Sequence, residues 1–124
     1  MAEKITIGIA THEELRERAL QIARGERQRQ PDEPKIWFTS LESFAKVLSE
    51  PNRKLLRIIS EQHPSSLAEL GALSGRKASN LSRTLKTMSQ YGLVRLVPGK
   101  RGSVAPEVLV REVRMDMSLV GGLV

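Results

Sequence analysis

At 124 residues the chain suits one compact core with appendages rather than two full domains, and the lack of any cysteine excludes disulfide frameworks, thiolate zinc sites and cysteine nucleophiles. A hydrophobic share of 40% with only 3% aromatics predicts an α+β, mainly helical fold packed by Leu, Ile, Val and Ala. The net charge of +6 predicts attraction to polyanions, and no apolar run approaches the roughly 20 residues of a bilayer span, so no membrane partner is expected.

Ile5, Ile7 and Ile9 alternate with Lys4, Thr6 and Gly8, the period of a short half-buried strand. Thr11 and Glu14 have capping-box spacing, and Leu15, Ala19, Ile22 and Ala23 recur at helical intervals up to Gly25. Residues 1–25 are therefore expected to form a strand-helix arm for dimerisation or partner binding. Residues 26–35 contain no apolar residue except Pro31 and Pro34 and read as a linker. Residues 36–118 are expected to hold the main domain with a C-terminal strand. The N-terminus shows no positive stretch leading into an apolar run, so a cytoplasmic, nucleoid-associated prokaryotic protein is expected.

Ile36, Trp37 and Phe38 form an apolar patch, and Leu41, Phe44, Ala45 and Leu48 follow at helical spacing. Trp37 is assigned to packing in a core or a dimer interface, because large aromatics dominate burial. A support helix is predicted from Pro51 or Asn52, with Leu55, Leu56, Ile58 and Ile59 inward, stopping before Pro64.

Ser66 and Glu69 repeat the capping-box spacing ahead of a short helix carrying Leu67, Leu70 and Leu73, which ends near Ser74 and Gly75. The next helix is predicted from Arg76 to about Tyr91, with Ala78, Leu81, Leu85 and Met88 facing the core. Its other arc carries Arg76, Ser79, Asn80, Arg83, Lys86, Thr87 and Gln90, all able to hydrogen-bond and none acidic. Arg pairs bidentately with guanine, Asn with adenine, and Ser or Thr with bases or phosphates, an inventory that suits a major-groove helix. Between Glu69 and Glu107 there is no acid, yet seven cations lie there: Arg76, Lys77, Arg83, Lys86, Arg95, Lys100 and Arg101. This window alone accounts for the basic excess, as a nucleic-acid-facing element requires.

Gly92 ends that helix, Leu93 to Val97 reads as a strand, and residues 98–103 form a turn carrying Lys100 and Arg101. A strand from Val104 would complete a two-stranded wing. From Val108 to Met117, Leu109, Arg111, Val113, Met115 and Met117 alternate onto one side of a further strand, with Met115 and Met117 expected in the core.

From roughly Leu41 to Leu109 the sequence resembles the ArsR/MarR-like winged helix-turn-helix regulators of bacteria and archaea. The run Leu48-Ser49-Glu50-Pro51-Asn52-Arg53 with Leu56 and Ile59 is similar to that family's support-helix opening. Ser82-Arg83-Thr84-Leu85-Lys86 through Tyr91-Gly92-Leu93-Val94 is similar to its recognition-helix ending. Ile5-Thr6-Ile7-Gly8, Ala23-Arg24-Gly25-Glu26 and Pro34-Lys35-Ile36-Trp37-Phe38 further resemble a small group of regulators, some of which are antitoxins paired with small toxins. The resemblance implies a winged helix-turn-helix with an N-terminal strand-helix arm. It also implies groove-facing roles for Arg76, Lys77, Ser79, Asn80, Ser82 and Arg83, and wing contacts from Lys100 and Arg101. Lys86 joins them from the polar arc. Metal-sensing members need cysteine or clustered histidine, and this chain offers only His12 and His63, so neither a metal nor another cofactor is expected.

No nucleophile or acid-base pair stands out, so a transcriptional regulator is expected rather than an enzyme. The expected partners are double-stranded DNA, a second copy in a homodimer and, in the antitoxin alternative, a small toxin held through the arm by strand addition. RNA is disfavoured because Tyr91 is the sole aromatic in the basic window, whereas single-strand platforms need several.

Overall fold

The computed structural model describes residues 2–121. In chain order its elements are β1 (Ala2–Ile9), α1 (His12–Ala23), β2 (Ile36–Phe38), α2 (Leu41–Val47), α3 (Glu50–Gln62), α4 (Leu67–Ser74), α5 (Ala78–Gln90), β3 (Val94–Pro98), a 3-10 turn (Lys100–Gly102), β4 (Val104–Val108) and β5 (Val110–Met117). The fold is α+β, as the composition predicts. The chain divides at Val47 and Arg111, so that residues 4–46 and the segment from Glu112 form one compact unit and residues 47–111 form the other. The expected boundary at residues 26–35 is therefore displaced, and the C-terminal strand groups with the N-terminal residues.

The reason lies in strand pairing. In the first unit β1 is the central strand of the order β2-β1-β5. It runs parallel to β2, with Ile7, Gly8 and Ile9 opposite Ile36, Trp37 and Phe38. Parallel neighbours need a long crossover. Residues 10–35, with α1 inside them, supply it, so the irregular stretch is one leg of a strand-helix-strand unit rather than a spacer between domains. The Ala10 amide donates to the Phe38 carbonyl and the Lys35 amide to the Thr6 carbonyl, each at 3.0 Å, which carries the pairing to both ends of β2. β1 is thus not a lone strand: β2 lies along its last residues, Ile7–Ile9, and β5 along its other edge.

Ile7, Ala10 and Phe38 are buried in this unit. Phe44 of α2 meets Phe38 edge to face at 5.5 Å, the geometry that the ring quadrupoles favour. Trp37 lies across the position facing it. A Cβ on Gly8 would stand 2.3 Å from the indole, so only glycine admits the ring there. The guanidinium of Arg18 sits over the other part of this assembly, 5.3 Å from the Trp37 ring centroid, and forms an ion pair with Glu33. Burial alone would raise the Glu33 carboxyl, but the Arg18 hydrogen bond and charge, with smaller help from Gln30 and Arg27, leave it below its ordinary value.

α1 begins with the expected capping box: Thr11 Oγ1 accepts from the Glu14 amide at 3.1 Å and Glu14 Oε1 accepts from the Thr11 amide at 2.9 Å. Its inward face is shallower than the pattern predicts, since Leu15 and Ile22 are half-buried while Ala19 and Ala23 are exposed.

The second unit packs α3, α4 and α5 with a β3–β4 hairpin around Leu55, Ile59, Leu70, Leu81, Leu85, Met88, Leu93 and Val94, all buried. The predicted helix positions hold, with Pro51 in the first turn of α3 and Ser49 Oγ accepting from the Asn52 amide at 3.4 Å. α3 stops at His63, in the left-handed region at φ 49°, followed by buried Pro64. β3 and β4 pair antiparallel from Val94 opposite Val108 to Pro98 opposite Val104. The Leu109 amide donates to the Leu93 carbonyl at 3.0 Å, which extends the hairpin pairing by one residue in the same register. Met115 and Met117, expected in the core, are instead 42% and 37% exposed.

Candidate nucleic-acid interface

α5 and the β3–β4 hairpin belong to the same unit, and α5 packs on α4 and β3. The helix buries Leu81, Leu85 and Met88, whose three-and-four spacing fixes its rotation. Burying each such side chain is worth about 1.5–3 kcal/mol, enough to hold the opposite stripe outward. Ser79, Asn80, Ser82, Arg83, Lys86 and Gln90 are exposed as a result. Thr87 is half-buried, and Ala78, expected inward, is exposed because the helix starts there. No acid lies anywhere on α5. The contrast within the unit is α3, whose exposed Arg53, Lys54 and Arg57 are flanked by Glu50 and Glu61, and where Lys54 pairs with Glu50 at 3.6 Å.

Arg76 takes a place the sequence did not suggest. It precedes the helix, is half-buried, and spends its guanidinium on three oxygens: Nε on Asn80 Oδ1 at 2.7 Å, Nη1 on Asn52 Oδ1 at 3.0 Å and Nη2 on Thr84 Oγ1 at 3.1 Å. Asn52 is held in turn by its Nδ2 donating to the Val47 carbonyl at 2.9 Å. Arg76 therefore pins the start of α3 to the first two turns of α5, and its planar fork is why Arg does this. The sequence makes it a groove-facing candidate; the structure engages its guanidinium within the chain. Asn80 is affected too: its Oδ1 already accepts one hydrogen bond from Arg76, which leaves one lone pair of that oxygen and both Nδ2 hydrogens. No local period links residue 52 to residue 76, which is why the sequence did not reveal the clamp.

Lys77 is exposed at the N-cap of α5 without a capping hydrogen bond from its side chain. The hairpin tip closes through the Gly99 amide donating to the Ser103 carbonyl at 2.7 Å. The Ser103 amide and hydroxyl both donate to the Lys100 carbonyl, at 3.1 and 2.7 Å. Arg101 and Gly102 then follow in the left-handed region at φ 57° and 74°. Glycine takes this conformation freely, whereas Arg101 adopts it against a steric cost. The turn leaves Lys100 and Arg101 exposed at the end of the hairpin. Arg95, by contrast, is paired across the strands with Glu107, directly opposite it. Among the described residues, Arg95 alone of the seven window cations has an acidic partner; Arg76 is engaged by neutral oxygens, and Lys77, Arg83, Lys86, Lys100 and Arg101 make no ion pair.

Beneath α5, α4 starts at Ser66, whose Oγ accepts from the Glu69 amide at 3.0 Å. The reciprocal half of the expected box is shifted by one residue, because Glu69 Oε2 accepts from the Ser65 hydroxyl at 2.7 Å and the Ser65 amide at 3.3 Å. Those two donors hold the Glu69 carboxyl below its ordinary value. His12 and His63 lie in different units, at the start of α1 and the end of α3.

The unit of residues 47–111 is thus a three-helix layer with an antiparallel hairpin, presenting one acid-free helix face and one basic hairpin tip. The HVO_A0114 family model matches residues 47–115, more than half of the chain, and the chain belongs to that family. No curated protein and no solved structure matches it. Among the described residues no helix is long and apolar enough to cross a membrane.

Proposed function

We propose that the chain is a sequence-specific double-stranded DNA-binding transcriptional regulator and not an enzyme, with α4 and α5 as a helix-turn-helix and β3–β4 as its wing. The observation that carries this reading is the exposed stripe of α5, where Ser79, Arg83, Lys86 and Gln90 project with no acid among them. A solvated helix face ordinarily carries both signs, as α3 does with Glu50 and Glu61 flanking its cations; a face meeting phosphates cannot carry carboxylates without repulsion. Arg83 sits mid-stripe and suits a base edge, whereas Lys77 at the helix start and Lys100 and Arg101 at the hairpin tip suit phosphates. Arg76 supports this arrangement from behind by fixing the start of α5.

Fluorescence anisotropy with labelled duplexes over a salt series tests the proposal. Affinity should fall steeply with salt, by about 0.9 in log-log slope for every phosphate neutralised. A protein that binds no duplex at low salt, or binds with no salt dependence, overturns it.

A further inference from the structure

We infer that two copies of this chain join edge to edge through β5, making one continuous antiparallel sheet with the order β2-β1-β5-β5-β1-β2. β5 is an edge strand with β1 on one side only, it runs eight residues from Val110 to Met117, and it contains neither proline nor glycine. Edges left open are ordinarily blunted by proline, short length or charged side chains; β5 has neither of the first two, and Arg114 and Asp116 carry opposite charges. Its apolar row is uncovered as well, with Val113, Met115 and Met117 at 37%, 42% and 37% exposure.

The sequence of β5 then selects its partner. Residues directly opposite in an antiparallel pair share a face, so a symmetric β5–β5 pairing must centre on one residue, and each centre can be examined. Centring on Met115 sets Met115 against itself, Val113 against Met117 twice, and Arg114 against Asp116 twice. The whole apolar row is matched and both charge pairs are attractive. Centring on Arg114 instead opposes Arg114 to Arg114 and Glu112 to Asp116, all like charges. Centring on Val113 puts Met115 opposite Arg111, and centring on Asp116 opposes two carboxylates. Arg114 and Asp116 make no ion pair within the chain among the described residues, whereas the neighbouring Glu112 is already engaged by Lys4 at 3.7 Å. Both charges that the Met115-centred register uses are left available, and Arg111, the other charge of β5 without an ion pair among the described residues, falls outside the matched span. A second copy therefore fits this edge by apolar register and by charge together.

The inference rests on the sheet edge and not on the DNA reading. Sedimentation velocity of the full chain without DNA should give twice the 13.8 kDa chain mass. Arg114→Asp faces Asp116 of the other copy with a like charge at two places and should weaken association by on the order of tenfold or more. The exchange Arg114→Asp with Asp116→Arg restores both attractive pairs and should restore the dimer. These positions are exposed, and unchanged circular dichroism melts of each variant verify that folding is intact. A chain that sediments as a monomer, the result expected if another protein's strand occupies β5, overturns the inference. So does a dimer indifferent to Arg114→Asp, or an exchange that fails to rescue. A dimer that binds no duplex would leave this interface standing and remove the DNA proposal. A monomeric Arg114→Asp variant that still binds DNA with steep salt dependence would support both.

Discussion

At the scale of single residues, the structure separates two arginines that the sequence presents alike. Arg83 is exposed mid-helix with no partner among the described residues, while Arg76 is spent on Asn80, Asn52 and Thr84. Arg83→Ala should weaken binding to an operator more than to random duplex, by about 1–3 kcal/mol of discrimination if it reads a base. Competition titrations decide this, and equal losses on both duplexes would make Arg83 a phosphate contact. Arg76→Ala should act on the fold instead, because it strands three oxygens that accept from one guanidinium. A loss of about 1–3 kcal/mol in urea unfolding is expected. A variant with wild-type stability and lost DNA affinity would return Arg76 to the reading face. Gly8 sits under the Trp37 indole, so Gly8→Ala should destabilise the sheet, whereas the same change paired with Trp37→Leu should be better tolerated.

At the scale of elements, the helices were legible from their three-and-four spacing, and α1 and α4 from their capping residues too, because both signals are local. Thr11 and Ser66 cap where their spacing predicts, and Leu81, Leu85 and Met88 face inward as their spacing requires. The strands were legible only as extended segments. Alternation in β1 and β5 says nothing about which strand lies next to which, so the central position of β1 and the outer position of β5 came from the structure alone. The same limit misplaced Met115 and Met117, since an alternating row can face a core or a second molecule with identical spacing. The start of α4 offers a test with a definite sign. The Glu69 carboxyl is held below its ordinary value by Ser65, so its contribution is complete above the ordinary carboxylate range and is lost as pH falls through the lowered value. Hydrogen exchange at the Ser65 amide should quicken over that acidic window beyond the intrinsic pH effect, and Glu69→Gln should remove the extra dependence. The hairpin offers another. Lys100→Ala with Arg101→Ala should lower affinity for every duplex and reduce the salt slope by about 0.9 per lost contact. An unchanged slope would take the tip out of the interface. Arg101→Gly separates charge from strain, since it relieves a left-handed residue and should raise stability by about 1 kcal/mol while still reducing the slope.

At the scale of the whole molecule, the proposed DNA interface and the proposed β5 pairing fall in different units. Every buried side chain among Leu55, Ile59, Leu70, Leu81, Leu85, Met88, Leu93 and Val94 lies between Val47 and Arg111, as do the Arg76 clamp, the exposed stripe of α5 and the hairpin tip. The family match covers the same stretch and ends inside β5. A fragment of residues 47–111 therefore retains its own core and both halves of the proposed DNA interface while lacking the β5 residues that would pair two copies. Domains of this size bury only about 60% of the surface that the unfolded chain exposes, so the fragment should be less stable than the full protein but should still unfold cooperatively. It should sediment as a monomer and bind duplex DNA with the salt slope of a single interface, about half that of the dimer, because each copy contributes its own phosphate contacts. Urea unfolding by circular dichroism, sedimentation and anisotropy measure these three properties separately. A fragment that is unfolded in buffer would show that the second unit depends on the first for its stability. A folded monomeric fragment with the full slope of the intact protein would show that the intact protein engages DNA through one copy at a time.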